Sequence, residues 1–438
     1  MEQDTRHGAP VVYWFNPSCE EEVARGRPGH QPGRLPRLLA RDLGSLPLFL
    51  AEAQDVVLVR EMPSRAFVDA LRGAGITVPV LVAHGAAGLR GDEAGGRGLR
   101  DLRPWGWSPD SAAFLQPLAA SAPPGSLRWH PGIRCLYSKA WSAHLLRTFL
   151  RDHAAPWLCD ASTVGAECGT CAEVGARLER VCGQGYAQAV VKAAFGQSGR
   201  NQMQVAGGRL QVAQSRWLER ILAEQGSVVV EPWLDRACDL SFHMDIVSPG
   251  RAALRGWTLF VADARGRYRG SWVSGGPESL APEVRALVDE ARLRPLAEEL
   301  ASHIAVAAAE SGYVGPLGVD ALVCRHGGVR LKPIVEVNPR YTMGRVALAL
   351  QPLVAGGRAA LWTVLSQRQA QQSGLASVAD LVARLVAQNP LEREAHTGRL
   401  YTGVLPTTDP SSARAFASVL VVGQGAADCA RLVHVPLS

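Results

Sequence analysis

The chain has 438 residues, 47% hydrophobic and 20% charged, with a formal net charge of +6. This length suits two or three domains with sizeable cores, and no apolar run is long enough to span a membrane. The modest charge, without a basic run interleaved with aromatics, speaks against nucleic acid as a partner.

The N-terminal MEQDTRHGAP lacks the apolar core of a secretion signal. Nine cysteines without a disulfide framework read as reduced thiols, so a cytoplasmic location is expected. Cys168-Gly-Thr-Cys171 has the spacing of half a zinc site, but no second CxxC or nearby histidine pair completes it.

In chain order, the short apolar runs 11–15, 55–59 and 78–82 alternate with helical spacing over 35–50 and 64–74. That alternation predicts an α/β fold with a parallel sheet and covering helices. Asn16-Pro17-Ser18 turns the chain at the end of the first strand, and no GxGxxG follows. Residues 84–110, rich in Gly, Arg and Trp, read as a long loop or insertion. Ser138 is placed to cap a helix with Trp141, Leu145, Leu146 and Phe149 along one side, stopped by His153-Ala-Ala-Pro156. A strand over Ala187–Lys192 then leads through a glycine-containing loop to a second strand near Met203–Ala206. In that loop Gly196, Ser198 and Gly199 let backbone amides approach an anion, with Lys192 and Arg200 as cations.

A helix near 214–225 precedes the apolar run that ends in Glu231-Pro-Trp233-Leu234, followed by Asp239, for which Arg236 is the plain structural partner. Residues 254–273 predict a hairpin turning at Asp263–Gly266, and 282–310 a long helix covering the sheet. The stretch 313–345 predicts a second hairpin, GVDALV and VRLKPIVEVN around RHGG, ending in NPR. Alternation along the strand puts Lys332, Ile334, Glu336 and Asn338 on one face, toward Asp320. Two carboxylates and an amide oxygen form a hard, oxygen-only ligand set suited to Mg²⁺; the plainer reading is a buried hairpin whose acids meet arginines. Helices are expected near 346–367 and 376–388, followed by a mixed tail.

Of 46 basic residues, the lysines are Lys139, Lys192 and Lys332 alone. Lysines that persist among so many arginines suit positions needing a compact point charge. All three fall in the segments singled out above.

Asp320 followed by Glu336-Val-Asn338-Pro-Arg340 resembles the metal-binding end of the ATP-grasp superfamily of carboxylate ligases. The upstream segments occur in that family's order over roughly 135–350. The resemblance implies a Rossmann-like N-terminal domain over 1–134, an ATP-grasp module over 135–350 with a lid near 155–230, and an appendage over 351–438. It assigns Lys139 and Lys192, with the Gly196-Ser198-Gly199-Arg200 loop, to the ATP phosphates. Glu231, Trp233 and Leu234 correspond to the adenine hinge, and Asp239 to the ribose contact. Asp320, Glu336 and Asn338 would hold two Mg²⁺ ions, for which Mn²⁺ can substitute, and Arg340 would steady the transferred phosphate. Lys332 departs from the commonest pattern; it meets the substrate carboxylate or neutralises the acids, and Arg345 is positioned to clamp that carboxylate. The implied reaction joins a small-molecule carboxylate to an amine, as in amino-acid or peptide ligases of specialised metabolism. A bicarbonate-activating carboxylase and a degenerate ATP-binding regulatory module are the alternatives. Homodimers are frequent among such enzymes.

Overall fold

The computed structural model describes residues 8–84, 98–196, 201–263 and 266–433. The chain divides into two compact units. One comprises Met1–His130, Arg269–Ser279 and Thr342–Leu437; the other comprises Pro131–Tyr268 and Leu280–Tyr341.

In the first unit, strands Val80–Ala83, Val56–Val59, Val11–Trp14 and Asp101–Pro104 form a parallel sheet in that order. VVLV at 56–59 is buried throughout, as expected of a parallel strand covered on both faces. The expected loop over 84–110 is corrected in its second half. Residues 85–97 lie outside the described residues, but Asp101–Pro104 is a strand and Pro109–Leu115 a helix. Leu102 pairs beside Val12, and Ser108 closes a capping box with Ser111.

The helix expected over 346–367 is likewise corrected. A helix spans Met343–Leu350, whereas Ala359–Ser366 is a strand. It pairs antiparallel with Tyr268–Ser274 through residues 270–274 and, on its other side, with Phe416–Gly423, which pairs in turn with Leu400–Pro406. Leu361-Trp-Thr-Val-Leu365 is aromatic and β-branched, and neighbours on both sides override its weak helical spacing. Trp362 is fully buried and donates its indole N–H to Thr407 Oγ1 at 2.8 Å. The C-terminal segment belongs to the same unit as the N-terminal sheet. The Asp42 carboxylate accepts from the backbone N–H of Arg414, Ala415 and Phe416 at 3.2, 2.7 and 3.0 Å.

The second unit carries two antiparallel sheets. In the larger, Val329–Asn338, Gly315–Arg325, Asp235–Ser248 and Arg251–Ala262 lie side by side. Asp263 and Gly266 close the reversal after Ala262, while Ala264 and Arg265 lie outside the described residues. Helices Lys139–Asp152 and Glu290–Ala308 pack on this sheet. The single helix expected over 282–310 is two, Pro282–Arg285 and Glu290–Ala308, because Asp289 caps the second by accepting from Ala291 N–H.

The smaller sheet runs in the order Ala166–Cys168, Val228–Pro232, Gln188–Ala193 and Gln202–Ala206. Its core includes Val174, Leu178, Val191, Leu218, Ile221 and Val230. The segment entering it is tied to the hairpin strand by Leu331 N–H to Trp157 O and Cys159 N–H to Leu331 O, each 2.9 Å. Among the described residues, no helix is long and apolar enough to cross a membrane.

Candidate functional site

The site begins with the hairpin of the larger sheet. Gly318 pairs with Asn338 and Asp320 with Glu336, so the two carboxylates stand directly opposite one another on adjacent strands. Asn338 Nδ2 donates to Asp320 Oδ2 at 3.1 Å, and Arg340 Nη2 donates to Asn338 Oδ1 at 3.0 Å. The acid, the glutamate and the amide therefore form one group, with Arg340 at its edge. Burial, reinforced by the negative charge of Glu336, pushes the Asp320 carboxyl up to about 6; Ser241, Arg340 and Asn338 pull the other way. Two acids repelling each other in a buried place are the condition that a divalent cation relieves, so Asp320 and Glu336 fit Mg²⁺. The Asn338 oxygen is turned to Arg340, and a ligand role would use its second lone pair.

All three lysines are buried, Lys139 on this group and the other two on Glu231. Lys139 opens its helix behind the Ser138 cap, pairs with Glu336, and donates to Gly196 O at 2.9 Å. An unpaired cation opposes the dipole at a helix N-terminus, and Glu336 offsets that conflict. Lys192 lies on strand Gln188–Ala193 and pairs with Glu231 Oε1 on the adjacent strand Val228–Pro232. Lys332 Nζ donates to Glu231 Oε2 at 2.8 Å and to Thr163 O at 2.9 Å. One carboxylate thus holds two ammonium groups, one on each oxygen. Burial alone would raise the Glu231 pKa, but Lys192 and Lys332 outweigh it and bring the carboxyl to about 2. Burial pushes Lys192 downward, with Glu231 and Glu336 opposing and Lys332 adding to the push.

Lys332 was expected to meet the substrate carboxylate or to neutralise Glu336 and its neighbours. Its ammonium does neutralise an acid, but that acid is Glu231. The pairing shifts between Asp320–Glu336 and Leu322–Lys332, so Pro333, Ile334 and Val335 together oppose Ala321. Pro333 has no N–H for the ladder, but Asp320 and Leu322 lie two residues apart, so their partners Glu336 and Lys332 still share the expected face.

At the expected hinge the main chain is partly engaged. Trp233 N–H donates to Gln188 O at 2.9 Å, and Leu234 is buried in the core of the smaller sheet. Glu231 points to the lysines. Asp239 takes the plainer partner, accepting from Arg236 Nη1 at 2.8 Å, while the Arg236 guanidinium lies 5.3 Å from the Trp233 ring centroid. Gly196 is described and offers its carbonyl to Lys139; Ser198, Gly199 and Arg200 lie outside the described residues. Arg345 belongs to the other compact unit, in the first turn of a helix. Thr342 caps Met343–Leu350 by accepting from Arg345 N–H.

Three supports had no readable signal in the sequence. The Thr163 carbonyl holds Lys332. Gln225 braces Phe195 through both its main-chain groups, at 2.8 and 3.2 Å. At Gly165 a Cβ would lie 2.6 Å from Val229 Cγ1 and 3.5 Å from Glu231 Oε2, so a larger residue would press on the strand carrying that glutamate. The Cys168–Cys171 pair serves a helix start, with Thr170 and Glu173 forming a capping box. Among the described residues no cluster of three or more His, Cys, Asp or Glu side chains is placed to hold a metal.

No family model matches the sequence, and no curated protein does. Solved structures resemble the chain over nearly its whole length. N5-carboxyaminoimidazole synthetase from Staphylococcus aureus complexed with ADP aligns with a TM-score of 0.49 and 12% identity, covering 97% of this chain and 95% of that one. Carboxyaminoimidazole ribonucleotide synthase from Aspergillus clavatus complexed with ATP gives 0.47 and 13%, covering 98% and 97%. The biotin carboxylase domain of the Hydrogenobacter thermophilus 2-oxoglutarate carboxylase, in complex with MgADP, ADP and bicarbonate, gives 0.46 and 12%, covering 96% and 88%.

Proposed function

We propose that this chain is an ATP-grasp ligase, dependent on ATP and Mg²⁺, that activates a carboxylate as an acyl phosphate and couples it to an amine. The observation that carries the reading is the gathering of all three lysines around Glu231 and Glu336, beside the opposed carboxylates of Asp320 and Glu336. With Arg340, four cations meet three acids, one of which has a pKa near 6. Such a cluster is built for an anion with a divalent counterion. A nucleophilic triad is not what it offers.

In this reading Lys139 and Lys192 bind the phosphates, and Asp320 and Glu336, with Asn338, hold the metal. Bound Mg²⁺ would spread the charge of the phosphates and fix their orientation. Glu231 keeps Lys192 charged against its burial, and Lys332 holds Glu231 in place, so Lys332 acts through its neighbours as a positioning residue. Arg340 lies close enough to Asn338 to neutralise charge on a transferred phosphoryl group. A carboxylate oxygen attacks the γ-phosphorus and ADP leaves. The nitrogen of a free amine then attacks the acyl carbon, and phosphate departs as the amide forms. Charge neutralisation and positioning supply most of the rate in such transfers. Gly196, Ser198, Gly199 and Arg200 as phosphate-covering residues, Trp233 and Leu234 at the adenine, Asp239 at the ribose and Arg345 at the substrate remain assignments by resemblance.

The test is a screen for ADP release with Mg²⁺ and ATP across pairs of amino acids, with bicarbonate as a separate arm. ADP formation that needs both a carboxylate and an amine supports the ligase. Dependence on bicarbonate replaces it with the carboxylase, and nucleotide binding without turnover replaces it with a regulatory module.

A further inference from the structure

The first compact unit carries a second concentration of positive charge, independent of the lysine cluster. Arg34, Arg37 and Arg41 recur at helical spacing on Arg34–Asp42. With Arg60, which follows strand Val56–Val59, and Arg414 they line one cavity of about 340 Å³. One acid shares the lining, Glu61. It is held in a two-pronged pair by Arg41, Nε to Oε1 at 3.0 Å and Nη2 to Oε2 at 2.8 Å. That leaves four guanidinium groups without a neutralising carboxylate in the lining.

Two further observations separate this cavity from a scatter of surface charge. Arg41 Nη1 is buried and has no hydrogen-bond acceptor among the described residues, an arrangement that costs free energy. The position of Arg414 is also fixed, because both Asp42 oxygens are spent on the backbone N–H groups of 414–416. Asp42 therefore builds the cavity wall, and its charge acts on Arg41 from behind the lining. Gathering five guanidinium groups on one wall works against their mutual repulsion, and a bound anion offsets it.

We infer that this cavity is a binding site for a small ligand bearing a phosphate or diphosphate group. Guanidinium forks match phosphate oxygens in pairs and remain charged at every accessible pH. The volume lies at the lower end of small-molecule sites and suits a phosphorylated metabolite. An extended polymer would not be enclosed.

The test titrates pyrophosphate into the full chain by calorimetry, at low ionic strength and without divalent cations. Arg37 and Arg60 are solvent-exposed, so R37A/R60A keeps its fold, which a thermal melt checks. Removing two charge-assisted contacts weakens this binding component by about tenfold or more. The control R255A/R292A removes the same charge from exposed positions of the other unit and leaves binding unchanged. Superimposable curves for wild type and R37A/R60A overturn the proposal. So does equal weakening in the control, which reduces the effect to net charge, and so does citrate binding as tightly as pyrophosphate.

Discussion

In one compact unit the three lysines are buried and held by two glutamates. In the other, five arginines line a cavity with one glutamate among them. The contrast follows from the cations themselves. An ammonium group is a compact charge that one carboxylate oxygen can satisfy, so Glu231 can hold two of them in a dry interior. A guanidinium presents a planar fork that tolerates partial exposure and waits for a planar or tetrahedral anion. The buried cluster is thus bound up with the stability of its surroundings, whereas most of the arginine wall can be altered without touching the core.

That contrast can be broken most severely at Glu231. Glu231→Ala leaves two buried ammonium groups without their shared partner and should lower the unfolding free energy by about 3–5 kcal/mol, measured by chemical denaturation. Lys192→Met keeps the Lys332–Glu231 bond and should spare more of the stability. ADP formation should fall by about 10²–10³, the scale for removing one preorganised charge-stabilising group. Equal losses of stability in the two variants would undo the idea that Glu231 is the hub.

Asp320 sharpens the comparison through pH. Its folded-state pKa, about 6, lies above the unfolded value near 3.9, so the folded form holds the proton more tightly. The resulting stabilisation, roughly 3 kcal/mol at most, is present below about pH 4 and lost as pH rises through 6. Thermal melts should show Asp320→Asn more stable than wild type at pH 8 and similar to it at pH 4. Mg²⁺ should raise the wild-type melting temperature at pH 8, where the acid is ionised, but not at pH 5. The smallest effect is expected at an exposed pair in the same unit, Arg255 with Asp245. Arg255→Ala should cost under about 1 kcal/mol, and a larger change would erase the distinction between buried and surface pairing.

Much of this was legible in the sequence where local signals were strong. VVYW and VVLV gave strands, Ser138 gave its helix, and the scarcity of lysine pointed to positions that all proved buried. The convergence of Asp320, Glu336 and Asn338 followed from pairing two strands around a turn. What failed depended on tertiary neighbours. Ala359–Ser366 is a strand because strands flank it, and Lys332 neutralises Glu231, an acid that the fold brings in from the smaller sheet. The pairing of Glu231 with two lysines was not read at all, because it depends on strands distant in sequence. Arg34, Arg37 and Arg41 recur locally on one helix, but the Asp42 contacts to 414–416 that complete the cavity span hundreds of residues and had no local signal.

The position of Lys332 has a mechanical consequence. Its side chain leaves the hairpin and fastens both to Glu231 in the smaller sheet and to the Thr163 carbonyl in the segment entering that sheet. It is a rivet joining two layers. Sliding the smaller sheet against the hairpin by more than a bond's tolerance would strand an ammonium group in a dry place before any apolar contact opened. Sliding of that kind should therefore proceed in discrete steps, and Lys332→Met should turn a stiff joint into a compliant one.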